Sequence, residues 1–310
     1  MKLVHDVWWT FFCQEPKLIL KWNGVCQTWK EWVDMLNLKQ TRQEKCWIWK
    51  HVCWLGNIKC IQKWEDLDVT NLNYWYYYYT TLSKWNYGLM KACHDGKREL
   101  VEYMIEKGAY DWNWGLYGAC EGGNRELADY MIEKGAYDWN MGLEGACRSG
   151  NIHLANLMIE KGVDDWNWGL YGACYGGNRE LADYMIEKGA DDWNMGLEGA
   201  CKGGNRELAD YMIEKGANYW NYGLHGACRS GNLDLANLMI EKGANNWNVG
   251  LESACEGGYI DLANLMIEKG ADDWNYGLEG ACEYGYIDLA NLMIEKGATN
   301  GHLIDEFFPS

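Results

Sequence analysis

Residues 112–138 read WNWGLYGACEGGNRELADYMIEKGAYD, and the pattern returns without insertion or deletion at Trp85, Trp112, Trp139, Trp166, Trp193, Trp220, Trp247 and Trp274, one Trp every 27 residues. Eight such units fill residues 85–300. Self-similarity at a fixed period of this size is the signature of a stacked repeat. Within the unit, Asn113 is placed to cap a first helix, and Leu116, Ala119 and Cys120 then fall three and four residues apart on one buried face. Gly122 and Gly123 break that helix. Asn124 is placed to cap a second, whose apolar stripe is Leu127, Ala128, Met131 and Ile132. Gly135 stops it in a left-handed C-cap, with Lys134 favourable at the negative helix end. Two-turn helices are marginal in water, so each pair must bury its stripe against the next pair.

The helix pair and its ELADYMIEKGA ending resemble an ankyrin repeat, and the resemblance covers residues 85–300. It implies an all-α, ankyrin-like solenoid of helix-turn-helix repeats with a divergent helical N-terminal region. Two departures are plain: the unit is shorter than the usual repeat of about 33 residues, and Gly115-Leu116 replaces the Thr-Pro-Leu-His opening. The shorter unit implies a shortened β-turn finger between neighbours. Short Trp- and Asn-rich units of this kind resemble the ankyrin arrays encoded by large DNA viruses of amoebae, which implies a host cytoplasm as the location.

The chain has 310 residues with 20 Trp and 21 Tyr against 4 Phe and 2 Pro, a bias that copying of one unit produces. The net charge is −17, unevenly spread: residues 1–84 carry 11 basic and 8 acidic side chains, whereas the remainder carries 17 and 37. A net −20 on the array repels phosphate backbones and anionic lipid, so nucleic-acid and membrane-surface partners are disfavoured. No apolar run reaches the roughly 18–20 residues of a membrane span, and MKLVHDVWW lacks a signal peptide's apolar stretch. A soluble, intracellular, cytoplasmic protein is the expectation. Of 13 cysteines, Cys93, Cys120, Cys147, Cys174, Cys201, Cys228, Cys255 and Cys282 occupy one slot of the repeat. Stacked helices lie about 8–10 Å apart, beyond disulfide reach, so these are expected to be buried, reduced thiols.

The copies vary mainly two, five and nine residues after each Trp. That set is Tyr87-Met90-His94, Trp114-Tyr117-Glu121, Met141-Glu144-Arg148, Trp168-Tyr171-Tyr175, Met195-Glu198-Lys202, Tyr222-His225-Arg229, Val249-Glu252-Glu256 and Tyr276-Glu279-Glu283. These offsets share a helical face opposite the Leu-Ala-Cys stripe. In ankyrin arrays the exposed side of the first helix lines a concave groove, so the triplets from Trp114 to Arg229 are the candidate partner-binding residues. Aromatics and Arg dominate interface hot spots. Drift on a solvated face is the alternative, and it would more often leave Lys, Ser and Gln.

Catalytic and cofactor chemistry finds no support. Stacking of single-stranded nucleic acid on the repeated Trp would need a basic groove, yet Asp111, Asp138, Asp165, Asp192 and Asp273 directly precede five of them. The six His occupy different repeat slots and no Cys-x-x-Cys pair occurs, so no metal site is expected. Neither a nucleophile elbow nor a phosphate loop is present. The expectation is a binding protein without enzyme activity or cofactor.

Ahead of the array, residues 41–84 read as a degenerate capping repeat and an aromatic connection. HVCWLGNIKCIQKW, residues 51–64, parallels GACRSGNIHLANLM, and the aromatic run at 74–79 could wrap the first unit or form an insertion. Residues 301–310 form a C-terminal tail. In residues 1–40, PKLILKWNGVCQTWKEWV, from Pro16 to Val33, resembles the second half of an F-box. The resemblance implies docking by Leu3, Pro16, Leu20, Val25, Cys26 and Trp29 on the linker subunit of a cullin-RING ubiquitin ligase. Joined to the array, that implies a substrate receptor for a basic-surfaced target protein. The alternative is a plain ankyrin scaffold or host-protein decoy whose first residues are a helical cap.

Overall fold

The computed structural model describes residues 53, 58, 61–62, 72–73 and 81–300. The F-box-like residues Leu3, Pro16, Leu20, Val25, Cys26 and Trp29, the run at 74–79 and the tail at 301–310 lie outside them. Two short strands, β1 (Leu72–Asn73) and β2 (Thr81–Leu82), pair antiparallel with Leu72 opposite Leu82. Eight helix pairs follow, repeats 1–8. They are α1 (Lys84–His94) with α2 (Arg98–Glu106), α3 (Trp112–Glu121) with α4 (Arg125–Lys134), α5 (Trp139–Arg148) with α6 (Ile152–Lys161), and α7 (Trp166–Gly176) with α8 (Arg179–Lys188). Then come α9 (Trp193–Gly203) with α10 (Arg206–Lys215), α11 (Trp220–Ser230) with α12 (Leu233–Lys242), α13 (Trp247–Gly257) with α14 (Ile260–Lys269), and α15 (Trp274–Tyr284) with α16 (Ile287–Lys296). The array is an all-α solenoid of helix-turn-helix units.

The helix starts correct the expected capping. Asp111, not Asn113, caps α3, its carboxylate accepting the Trp114 N–H, and Asp138, Asp165, Asp192 and Asp273 do the same for their helices. Asn113 lies inside the helix and reaches the loop that leads to the next repeat, where its Oδ1 accepts the backbone N–H of Tyr137 at 2.8 Å and of Asp138 at 3.0 Å. The equivalent Asn of every repeat, from Asn86 to Asn275, bonds the loop at the end of its own unit in this way. Backbone N–H groups of a short connection, left without a finger to pair with, thus find an acceptor.

Asn124 also departs from expectation. It occupies the N-cap position of α4 but makes no capping bond; its Nδ2 donates to the carbonyls of Cys93 at 3.0 Å and His94 at 2.7 Å in the preceding repeat. Where the turn carries Ser in place of the first Gly, the roles separate. Ser149 Oγ donates to the preceding repeat's Cys120 carbonyl at 3.0 Å, and Asn151 is released to cap its own helix at Leu154 N–H, 3.1 Å. The second-helix end follows expectation, with Gly135 left-handed at φ 109°.

Leu116, Ala119, Cys120, Leu127, Ala128 and Met131 and their counterparts form one continuous buried core, which Cys53 and Ile61 join at its N-terminal end. All eight Trp are partly buried against that core. First helices of neighbouring repeats pack directly on one another, whereas each second helix packs chiefly on its own partner. Glycine makes this approach possible: a Cβ at Gly118 would overlap the Met90 carbonyl, and one at Gly172 the Glu144 carbonyl. The second helices are bridged by longer side chains, as where Arg179 lies 3.4 Å over the Tyr211 ring and the Tyr211 hydroxyl donates to Asp183 at 2.6 Å.

Candidate interaction face

The variable triplets line up on the first helices, as their spacing predicts, but part of that face is closed. Trp114, Tyr117, Met141, Glu144, Tyr171 and His225 are buried, which corrects the expectation that this side is exposed throughout. The cause is the close stacking of first helices just described. Met90, Trp114, Tyr117 and Met141 form a second apolar cluster, with Tyr87 against it and the Trp114 and Tyr117 rings edge to face at 5.6 Å. The recurrent glycine next to the Tyr117 and Tyr171 slot is the sequence signal for this burial, because a mid-helix glycine is costly unless helices touch there.

The half-buried members form ion pairs and ring contacts within and between repeats. Arg148 Nε meets Glu121 Oε1 at 3.0 Å, its Nη1 donates to the Tyr117 hydroxyl at 3.1 Å, and its guanidinium lies 3.5 Å over the Tyr175 ring. Lys202 Nζ meets Glu198 Oε1 at 2.7 Å and lies 5.8 Å from the Tyr171 ring. Trp168 and Met195 are half-buried on the same face. Burial, together with the Lys202 and Arg229 charges, holds His225 down at about 3, so its imidazole is neutral.

Toward the C-terminus the face opens. Tyr222 and Tyr276 are each 50% exposed, and the Tyr222 ring stacks on Tyr219 at 5.9 Å. Beside them stand Glu252, Glu256, Glu279 and Glu283 on two consecutive first helices, with Arg229 Nη1 bonded to Glu256 Oε2 at 2.7 Å. Burial first, then the Glu252 and Glu283 charges, push the Glu256 carboxyl up to about 7 against the pull of Arg229. Glu252 is raised by burial and by Glu279. Like charges so placed disfavour one another's ionisation.

Chemistry of other kinds finds little here. No group of three or more His, Cys, Asp or Glu among the described residues has the arrangement of a metal site. The described repeat cysteines are free and buried, and burial pushes the Cys174, Cys201, Cys228 and Cys255 thiols up to about 12. No described helix is long and apolar enough to cross a membrane.

No family model matches the sequence, and no curated protein does. Among solved structures, the crystal structure of human ASB11 ankyrin repeat domain is similar at 23% identity, with 51% of this chain and 84% of that chain covered and a TM-score of 0.31.

Proposed function

We propose that this chain is a non-enzymatic protein-binding scaffold whose inner-helix face holds a basic-surfaced partner protein, with repeats 6–8 making the contact. The supporting observation is the change along that face, from buried or half-buried side chains in repeats 1–5 to exposed ones at Tyr222, Tyr276, Glu279 and Glu283 in repeats 6–8. Rigid aromatics supply contact area at low entropy cost, and exposed acids steer a basic surface toward them. Association is therefore faster at low salt than at high salt.

The finer role is that of a substrate receptor, with residues 1–40 docking on the linker subunit of a cullin-RING ubiquitin ligase in a host cytoplasm. Its support is the F-box-like run from Pro16 to Val33 alone. Mixing the purified protein with the purified linker subunit tests it by light scattering, beside a folded Val25→Asp, Trp29→Ala variant. Complex formation lost in the variant supports the receptor role. No complex with the native protein leaves a scaffold or decoy without a ubiquitin role.

A further inference from the structure

Repeats 3 and 5 carry the same pair of charges at the same two slots, four residues apart on the first helix: Glu144 with Arg148, and Glu198 with Lys202. An acid four residues before a base is the favoured helical ion pair. Repeat 5 makes it, at 2.7 Å. Repeat 3 does not. Arg148 turns away from its own helix to Glu121 and Tyr117 of repeat 2. Glu144 is left 0% exposed, with neither carboxylate oxygen hydrogen-bonded among the described residues.

A buried carboxylate in that position is tolerable as the neutral acid and costly as the anion, which would need a cation brought to it. The groups that set its state are identifiable. Arg148 and Cys147 lie on its own helix α5; Tyr117 and Glu121 come from α3, Tyr171 and Tyr175 from α7, and Glu198 with Lys202 from α9. Lys202 is already held by Glu198. Arg148 is the cation that a helical turn places within reach of Glu144.

We propose that Arg148 is a two-position cross-link controlled by the proton on Glu144. With Glu144 protonated, Arg148 ties repeat 3 to repeat 2 through Glu121 and Tyr117; with Glu144 ionised, Arg148 turns to it and that tie opens. The balance is one proton released to solvent on ionisation and one carboxylate–guanidinium contact exchanged for another. The device makes the junction between repeats 2 and 3 sensitive to the protonation of Glu144, in addition to the Asn and glycine contacts it shares with the other junctions. It does not depend on any partner, so its outcome is separate from that of the binding role.

The test is a double-mutant cycle between Arg148→Met and Glu121→Gln, read as the folding equilibrium constant at pH 5 and pH 9, in the native background and with Glu144→Gln. The expected coupling is about threefold or more at pH 5. It should vanish at pH 9 in the native background and persist at pH 9 with Glu144→Gln, where the group stays neutral. Coupling that survives at pH 9 in the native background, or that is lost equally with Glu144→Gln, overturns the proposal. Should a variant fail to fold, the Glu144 carboxyl ¹³C titration of the native chain decides. A midpoint well above the ordinary carboxylate range, with the Arg148 Nε–H resonance shifting at the same pH, supports the cross-link. A midpoint in the ordinary range near pH 4.3 refutes it.

Discussion

The Oδ1 of Asn194 accepts the backbone N–H of Tyr219 at 2.9 Å, in the loop that leads from repeat 5 to repeat 6. The same oxygen takes the Asn218 N–H at 2.7 Å. Asn194→Ala leaves both solvent-exposed donors without a protein acceptor, at an expected cost of about 0.5–1.5 kcal/mol in urea unfolding. Asn194→Asp keeps the acceptor and should lose less. An unchanged midpoint for the alanine variant would show that water replaces the bond at no cost.

Glycine at the helix contact gives a position-dependent expectation. Gly172→Ala drives a Cβ into the Glu144 carbonyl and should destabilise by about 1–3 kcal/mol. At Gly226 the nearest atom to such a Cβ, the Lys202 backbone N, is 3.0 Å away, and repeat 7 already carries Ser253 at that slot. Gly226→Ala should therefore be near neutral, since lost contact is offset by about 1 kcal/mol of helix propensity. Equal effects at the two sites in calorimetry would contradict a closer approach in repeats 3 and 4.

Unit boundaries, the Leu116–Ala119–Cys120 stripe and the left-handed Gly135 are all legible in the sequence, because each depends on residues within one helical turn or on the 27-residue copy number. The role of Asn113 is not, because its partners Tyr137 and Asp138 lie 24 and 25 residues away, while a suitable capping position sits two residues before it. The candidate face is half legible. Its slots are given by helical spacing, but whether Tyr117 or Tyr222 faces solvent depends on how closely adjacent first helices stack. The orphaned Glu144 could not be read at all, since its sequence neighbour Arg148 is the partner that helical spacing would assign.

Asp95 supplies a pH test with a definite sign. Burial pushes its carboxyl up, but bonds from His94 and Lys91, with the Lys97 charge, hold it at about 2. A folded value below the unfolded one makes the unfolded chain bind more protons between them, so this contribution is complete above about pH 4 and is lost as pH falls toward 2. Asp95→Asn should lower the melting temperature at pH 7 by more than it does near pH 2, where the remaining effect is small. The opposite ordering would remove Asp95 from the ion-pair network.

The repeat thiols should be inert in the folded chain. With Cys174 and Cys201 near 12, about one thiol in ten thousand is ionised at pH 8. Iodoacetamide at pH 8 should label them only after denaturation, as mapped by mass spectrometry. Rapid native labelling of either would mean that its repeat opens readily.

The Asn contacts and glycine contacts recur at one joint after another, so a force applied to the two ends of the array is carried by near-identical links in series. Such a chain yields at its weakest link rather than all at once. Each unit that peels away frees 27 residues, a length of about 90 Å when drawn taut. The molecule is thereby a stepwise extensible tether, and the turn chemistry of each repeat sets the order in which its steps are released.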